Sequence, residues 1–284
     1  MLERTMRRPS IAGRWRAALR AAVVAAGLAG CHAAAPGLVP GSLDVHWMHG
    51  SADCRQNKCR TFEAPFIYLL IGTRSALSLD TGATETPALR DAIKHLIGDK
   101  PLLAAHSHGH GDHKASDDQF AAAAGITVVA NTPAAQQAAF AITTWPDTLG
   151  HADLGDRPLD VLAIPGHEAS HIAIYDRQTG LLLTGDSLYP GLLFIRDWTA
   201  YCASIHRLAQ FARTRPIAHV LGAHIEMTSR PRVVYPYGTT YQPDEHALPL
   251  TLAHLIELDD ALIQLGPIKP TQKIAHDDFI LDPT

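Results

Sequence analysis

The chain has 284 residues, of which 46% are hydrophobic and 18% charged, and a formal net charge of −4 at pH 7. That composition supports a sizeable core, and the length accords with one globular domain behind a leader. Past the first thirty residues no stretch concentrates Lys and Arg, so nucleic acid is not an expected partner.

The leader comes first. Arg4, Arg7, Arg8, Arg14, Arg16 and Arg20 precede a run of small apolar residues over 21–29 that is too short to span a bilayer, the pattern of an export signal. It closes on Leu28-Ala29-Gly30-Cys31, which resembles the bacterial lipobox, in which the cysteine is lipidated and becomes the mature N-terminus. The expected organisation is a signal peptide with lipobox over 1–31, a linker over 32–42 and a folded domain over 43–284. The protein is then extracytoplasmic and periplasmic, anchored to a membrane through Cys31; an ordinary signal peptide cut near Ala33 to Ala35 is the alternative. In an oxidising compartment Cys54 and Cys59 are free to pair, although spacing alone does not establish a disulfide. Cys202 is expected as a small buried hydrophobe.

Strands and helices then alternate. Apolar runs over 66–71 and 76–79 predict two strands joined by Gly72-Thr73-Arg74-Ser75. Leu89, Ile93, Leu96 and Ile97 recur at helical spacing and predict a helix from Thr84 to Leu96, closed by Gly98. A strand over 102–105 runs into a histidine-rich loop. Helices are expected over 116–124, 132–143 and 198–213, and strands over 126–130, 159–164, 172–175, 181–183 and 219–222. A long amphipathic helix is expected over 246–265, and residues 267–284 show no usable period. The mixture predicts an α/β protein whose sheets are covered by helices.

The histidine loop is the most informative segment. Ala104-Ala105-His106-Ser107-His108-Gly109-His110-Gly111-Asp112-His113 holds a His-X-His-X-Asp-His string, a mixture of imidazoles and a carboxylate that suits zinc or another borderline divalent metal. In extended chain, side chains two apart point the same way, so His108 and His110 can converge on one ion while Asp112 and His113 face a neighbour.

Further motifs follow in order: Leu79-Asp80-Thr81-Gly82, Ile164-Pro165-Gly166-His167-Glu168-Ala169-Ser170-His171, Thr184-Gly185-Asp186-Ser187-Leu188 and Gly222-Ala223-His224. Together with the histidine loop, they resemble the metallo-β-lactamase-fold superfamily over about residues 43 to 230. The resemblance implies a four-layer αββα sandwich with a metal site at one edge of its facing sheets. It implies two Zn²⁺ per chain, the first held by His108, His110 and His167, the second by Asp112, His113 and His224, with Asp186 bridging. Asp80 resembles the carboxylate that orients a ligand histidine. His106 and His171 are offset from the ligand positions and are expected to support or pack.

By the same resemblance the chain is a metal-dependent hydrolase that uses a metal-bridging hydroxide to cleave an ester, lactone, thioester or related small acyl substrate. Asp112 would orient the nucleophile. Tyr189 stands where acyl-homoserine lactonases carry a tyrosine against the substrate carbonyl, so it is either an oxyanion donor or a packing residue. A β-lactamase and an iron-dependent oxidoreductase of the sulfur dioxygenase kind are the competing readings on the same fold. Phe194, Ile195, Trp198, Tyr201 and Tyr235-Pro236-Tyr237-Gly238 are expected either to rim the pocket or to pack in the core. The acyl substrate and the oligomeric state are not legible.

Overall fold

The computed structural model describes residues 62–283, together with the backbone of two short strands at 37–38 and 45–49. The leader, Cys31, Cys54 and Cys59 lie outside the described residues. Six strands, β1 (Gly37–Leu38), β2 (Val45–His49), β3 (Phe66–Ile71), β4 (Ala76–Leu79), β5 (Leu102–Ala105) and β6 (Ile126–Val128), form one sheet in chain order. The pairing is antiparallel up to β4 and parallel beyond it. A second sheet is built from β7 (Gly150–Asp153), β8 (Pro158–Ala163), β9 (Ile172–Asp176), β10 (Leu181–Gly185) and β12 (His219–Gly222), in the order β12-β10-β9-β8-β7. A small third sheet joins β11 (Leu192–Phe194) to β14 (Ile280–Asp282) and β13 (Ile274–Ala275).

Side-chain alternation along the strands sorts the apolar residues into three cores. Phe66, Tyr68 and Leu70 of β3 point between the two large sheets, where they meet Ile172, Ile174, Leu181 and Leu183. Ile67 and Leu69 point the other way, onto α1 (Ala88–Ile97) and α3 (Asp117–Ala121), which contribute Leu89, Ile93, Ile97 and Phe120. Across the second sheet, Ala173, Tyr175 and Leu182 face outward onto α5 (Trp198–Arg213) and α6 (Leu252–Leu265) through Ile205, Leu208, Leu255 and Leu262. Helix, sheet, sheet, helix is the resulting order of layers. Burial on both faces explains why 66–71 and 181–183 read as unbroken apolar runs.

Two helices start later than their periodicity predicts. The first begins at Ala88 because Thr84 is held outside it, its backbone N–H donating to Ser116 Oγ at 2.8 Å. The last begins at Leu252, after Thr251 and His254 form a reciprocal cap. Leu250 upstream of that cap pairs with Val220, so Leu248 and Leu250 serve the sheets rather than the helix. The tail is ordered into the core, with Phe279 and Leu281 fully buried and β14 paired in parallel with β11. Cys202 is free and half-buried against the outer core, and burial pushes its thiol up to about 11. No helix among the described residues is long and apolar enough to cross a membrane.

Candidate metal centre

Loops leaving four strands build the site: the segment after β5 carries His108 to His113, the turn after β8 carries His167, and the ends of β10 and β12 carry Asp186 and His224. The histidine loop is not extended throughout. His110 ends the extended part at φ −71°, ψ 155° and caps a one-turn helix, α2 (Gly111–Lys114), which carries Asp112 and His113. Two glycines make this approach possible. A Cβ on Gly109 would stand 2.0 Å from Asn131 Nδ2, and Gly185, at φ +51°, lies where a Cβ would meet His171 Nε2 at 2.5 Å.

The seven expected ligand residues fall into two adjoining groups, His108, His110, His167 and Asp186, and Asp112, His113 and His224, each with donor atoms within 4.8 Å of one another. In the first, His110 Nδ1 lies 2.9 Å from His108 Nε2 and 3.0 Å from His167 Nε2. Asp186 Oδ2 is 3.6 Å from His108 Nε2 and 3.5 Å from His167 Nε2. In the second, Asp112 Oδ2 is 3.1 Å from His113 Nε2 and 3.5 Å from His224 Nε2, and the two imidazole nitrogens are 3.3 Å apart. Asp186 faces this group with its other oxygen, Oδ1, at 3.4 Å from both histidines.

Six of these nine spacings, from 3.3 to 3.6 Å, fit a cation. Donors arranged tetrahedrally at ~2.0–2.2 Å from zinc stand about 3.3–3.6 Å apart. Three ring nitrogens converge at His110 Nδ1, where hydrogen bonding alone cannot satisfy every lone pair, and Asp186 Oδ1 is buried without a hydrogen bond. Outward bonds fix the rings of His108, His113, His167 and His224 so that their inner nitrogens face the others, while His110 Nε2 is buried without a partner. His113 Nδ1 donates to Asp80 Oδ2 at 2.8 Å, His167 Nδ1 to the Phe194 carbonyl at 2.8 Å and His224 Nδ1 to the Glu63 carbonyl at 2.5 Å. His108 Nδ1 meets Ser107 Oγ at 3.1 Å.

Electrostatics divides the histidines. Burial, reinforced by the neighbouring His113 charge, pushes His108 well below its ordinary value, and burial beside His167 lowers His110 to about 4. Both are therefore neutral, as metal ligation requires. Burial acts the same way on His113 and His224, but the carboxylates around them, Asp186 first, with Asp80 at His113 and Asp112 at both, together outweigh it and raise both, His224 to about 9. Burial would raise Asp186, yet the charges of His224, His113 and His108 hold it well below the usual carboxylate range.

Other expected residues fall outside the two groups. His106 Nε2 bonds Asp117 Oδ1 at 2.8 Å, and His171 packs beneath His108 with Ser187 Oγ at 3.1 Å from its Nδ1. Tyr189 is buried, with its ring 5.4 Å from that of His224, but its one phenolic proton is donated to the Leu192 carbonyl rather than toward the cavity. Of the expected rim, Phe194 lines the cavity, whereas Ile195, Trp198 and Tyr201 are core residues. Tyr237 stands 84% exposed, with its ring 5.2 Å from that of Phe62.

The cavity over the two groups has a volume of about 200 Å³. Three of its lining residues, Glu63, Arg196 and Glu226, escape the sequence reading. Glu226 was the most accessible of these, because it follows His224 by two positions in extended chain. Its carboxyl is buried, and burial raises it to about 7.

The model of the metallo-beta-lactamase superfamily matches residues 60–266. The acyl-coenzyme A thioesterase MBLAC2 of Gallus gallus is 27% identical over 212 residues, 59% of this chain and 74% of the relative. The Bos taurus protein of the same name is 28% identical over 173 residues, and the chain spans 61% of its length. A hydroxyacylglutathione hydrolase of Methylobacillus flagellatus is 32% identical over 157 residues, 52% of this chain and 58% of the relative. Among solved structures, a metallo-beta-lactamase from Pontibacter korlensis is 18% identical with a TM-score of 0.49, covering 80% of this chain and 99% of its own. The chain belongs to the metallo-beta-lactamase superfamily and is one of its hydrolases.

Proposed function

We propose that the protein is a dinuclear zinc thioester hydrolase. The observation that carries this reading is the two-sided presentation of Asp186, with Oδ2 toward His108 and His167 and Oδ1 toward His113 and His224. Two zinc ions held by the seven residues would activate water as the nucleophile at neutral pH and polarise the substrate carbonyl.

The chain's own groups supply position and charge. Burial would raise Asp112, but its hydrogen bond with His113 and the His113 charge hold it below its ordinary value. It stays ionised at the cavity wall, where it accepts a hydrogen bond from the attacking water and orients it. Arg196 makes no hydrogen bond or ion pair within the described residues, and it receives an anionic group of the substrate remote from the reacting carbonyl. A thiolate leaves at neutral pH without prior protonation, since an ordinary thiol has a pKa of about 8.5. An amide nitrogen must be protonated to leave, and the phenolic proton of Tyr189 is engaged by the Leu192 carbonyl. The names of the relatives, acyl-coenzyme A thioesterase and hydroxyacylglutathione hydrolase, support the same substrate class.

The test is one zinc-loaded preparation assayed on acyl-coenzyme A and acylglutathione thioesters, homoserine lactones, simple esters and nitrocefin. The thioesters are expected to give the highest kcat/KM. Faster turnover of nitrocefin or a lactone would replace this reading with a lactamase or lactonase, and oxygen uptake by an iron-loaded sample would replace it with an oxidoreductase. We also propose export and lipid anchoring through Cys31. Metabolic labelling with a radiolabelled fatty acid is expected to mark the wild type and not Cys31→Ala, and an unlabelled, freely soluble wild type would refute the anchor.

A further inference from the structure

The cavity is charged asymmetrically. Arg196 sits on the side of His110 and Phe194, the latter bonded through its carbonyl to His167. Glu63 and Glu226 sit on the side of His224: the Glu63 carbonyl accepts from that ring, and Glu226 follows it by two residues. Neither glutamate is needed among the two donor groups.

Glu226 is only 7% exposed, and its Oε2 accepts the Leu192 N–H at 2.8 Å and lies 3.3 Å from the Tyr189 hydroxyl. The Leu192 N–H bond orients the carboxyl so that Oε1, which has no hydrogen-bond partner among the described residues, is left to the cavity. The Glu63 carboxylate, which lines the same cavity, likewise has no hydrogen-bond or ion-pair partner among the described residues. A carboxyl held in place by the protein with one oxygen left toward the cavity offers a fixed acceptor to a donor on the ligand.

We propose that Glu226 and Glu63 form a subsite for a protonated amine of the acyl substrate. The inference rests on the cavity being the acyl-hydrolase site argued above. An ammonium group would meet these two carboxyls on the His224 side of the cavity, away from Arg196. Glu226 is the specificity-determining member because its orientation is fixed, and Glu63 adds charge at the more open edge.

Direct binding tests this without turnover. Titration calorimetry on the zinc-loaded full chain would compare ω-amino carboxylates of two to five methylenes with alkyl carboxylates of matching length. At least one amino acid of the series is expected to bind about tenfold tighter than its uncharged counterpart, as a charge-assisted bond in a dry site implies. In Glu226→Gln, which keeps an acceptor for Leu192 N–H, that ratio is expected to fall to about one. In Glu63→Gln, at a half-buried position that tolerates the change, it is expected to fall about threefold. Equal affinities across the series in the wild type, or a ratio unchanged in Glu63→Gln and in any folded Glu226→Gln, would overturn the proposal. A neutral butanoyl thioester assayed on the wild type judges thioester hydrolysis separately, since its turnover does not involve an amine.

Discussion

Asp80 Oδ2 lies 2.8 Å from His113 Nδ1, on the side of the ring away from the cavity. The same oxygen accepts the Ser107 hydroxyl at 2.9 Å, and Ser107 Oγ in turn stands 3.1 Å from His108 Nδ1. One buried carboxylate therefore orients a histidine from each donor group, directly for His113 and through Ser107 for His108. Its backbone adopts φ +75° to do so, a conformation a non-glycine residue seldom takes.

Asp80→Ala should accordingly weaken both metal sites, by about 10–100-fold in affinity. Competition against a chromophoric chelator measures this. Weakening of one site with the other unchanged would show that the relay through Ser107 carries nothing.

Gly109 lies between two proposed ligands with Asn131 closed over it. Gly109→Ala forces the Asn131 amide aside and breaks the 2.9 Å bond its Oδ1 accepts from Ser170 Oγ. The expected cost is about 1–3 kcal/mol of stability, together with weaker metal uptake. Thermal unfolding of Gly109→Ala and of Gly109→Ala combined with Asn131→Gly checks it, because removing the obstructing amide should restore metal uptake.

The charged histidines set a pH dependence for the metal-free protein. His224 is raised to about 9 against an ordinary value of 6.5, with His113 raised as well, so the stability from their pairing with Asp186 is full below about 6.5. It is lost as pH rises through about 9. Metal binding displaces those protons, so zinc affinity should climb over the same window and zinc uptake should release protons. Chelator-treated protein is expected to lose Tm between pH 6.5 and 9, and the zinc-loaded protein is not. Parallel curves for the two would contradict the assignment.

If Arg196 receives an anionic group of the substrate as proposed, Arg196→Ala should raise KM for anionic thioesters about tenfold or more while changing kcat little. Steady-state kinetics on an anionic thioester and a neutral one of equal chain length checks this. Equal effects on both would place Arg196 in structure rather than recognition.

The covering of the sheets by helices was legible from local pattern, whereas the four-layer order and the meeting of the seven residues followed from the resemblance that the motifs carry. Unbroken apolar runs mark strands buried on both faces, and each expected ligand stands just past a strand end. What stayed hidden depends on distant partners. Leu248 shares helical spacing with Leu252 and Leu255, and only the pairing of Leu250 with Val220 shows that the chain is not yet helical there. The tail showed no period because β14 takes its register from β11, far upstream. Ile195, Trp198 and Tyr201 carry the same apolar signal whether they line a cavity or fill a core, and the core holds them. Glu63 and Arg196 belong to no motif; only the closing of the loops over His110 and His224 brings them to one cavity.

The central claim is that Asp186 joins two zinc ions. Anomalous diffraction at the zinc edge from crystals grown with zinc tests it most directly. The account predicts two peaks, one among His108, His110 and His167 and one among Asp112, His113 and His224, with Asp186 between them. No peak, or a single peak that leaves one of these groups without zinc, would contradict it.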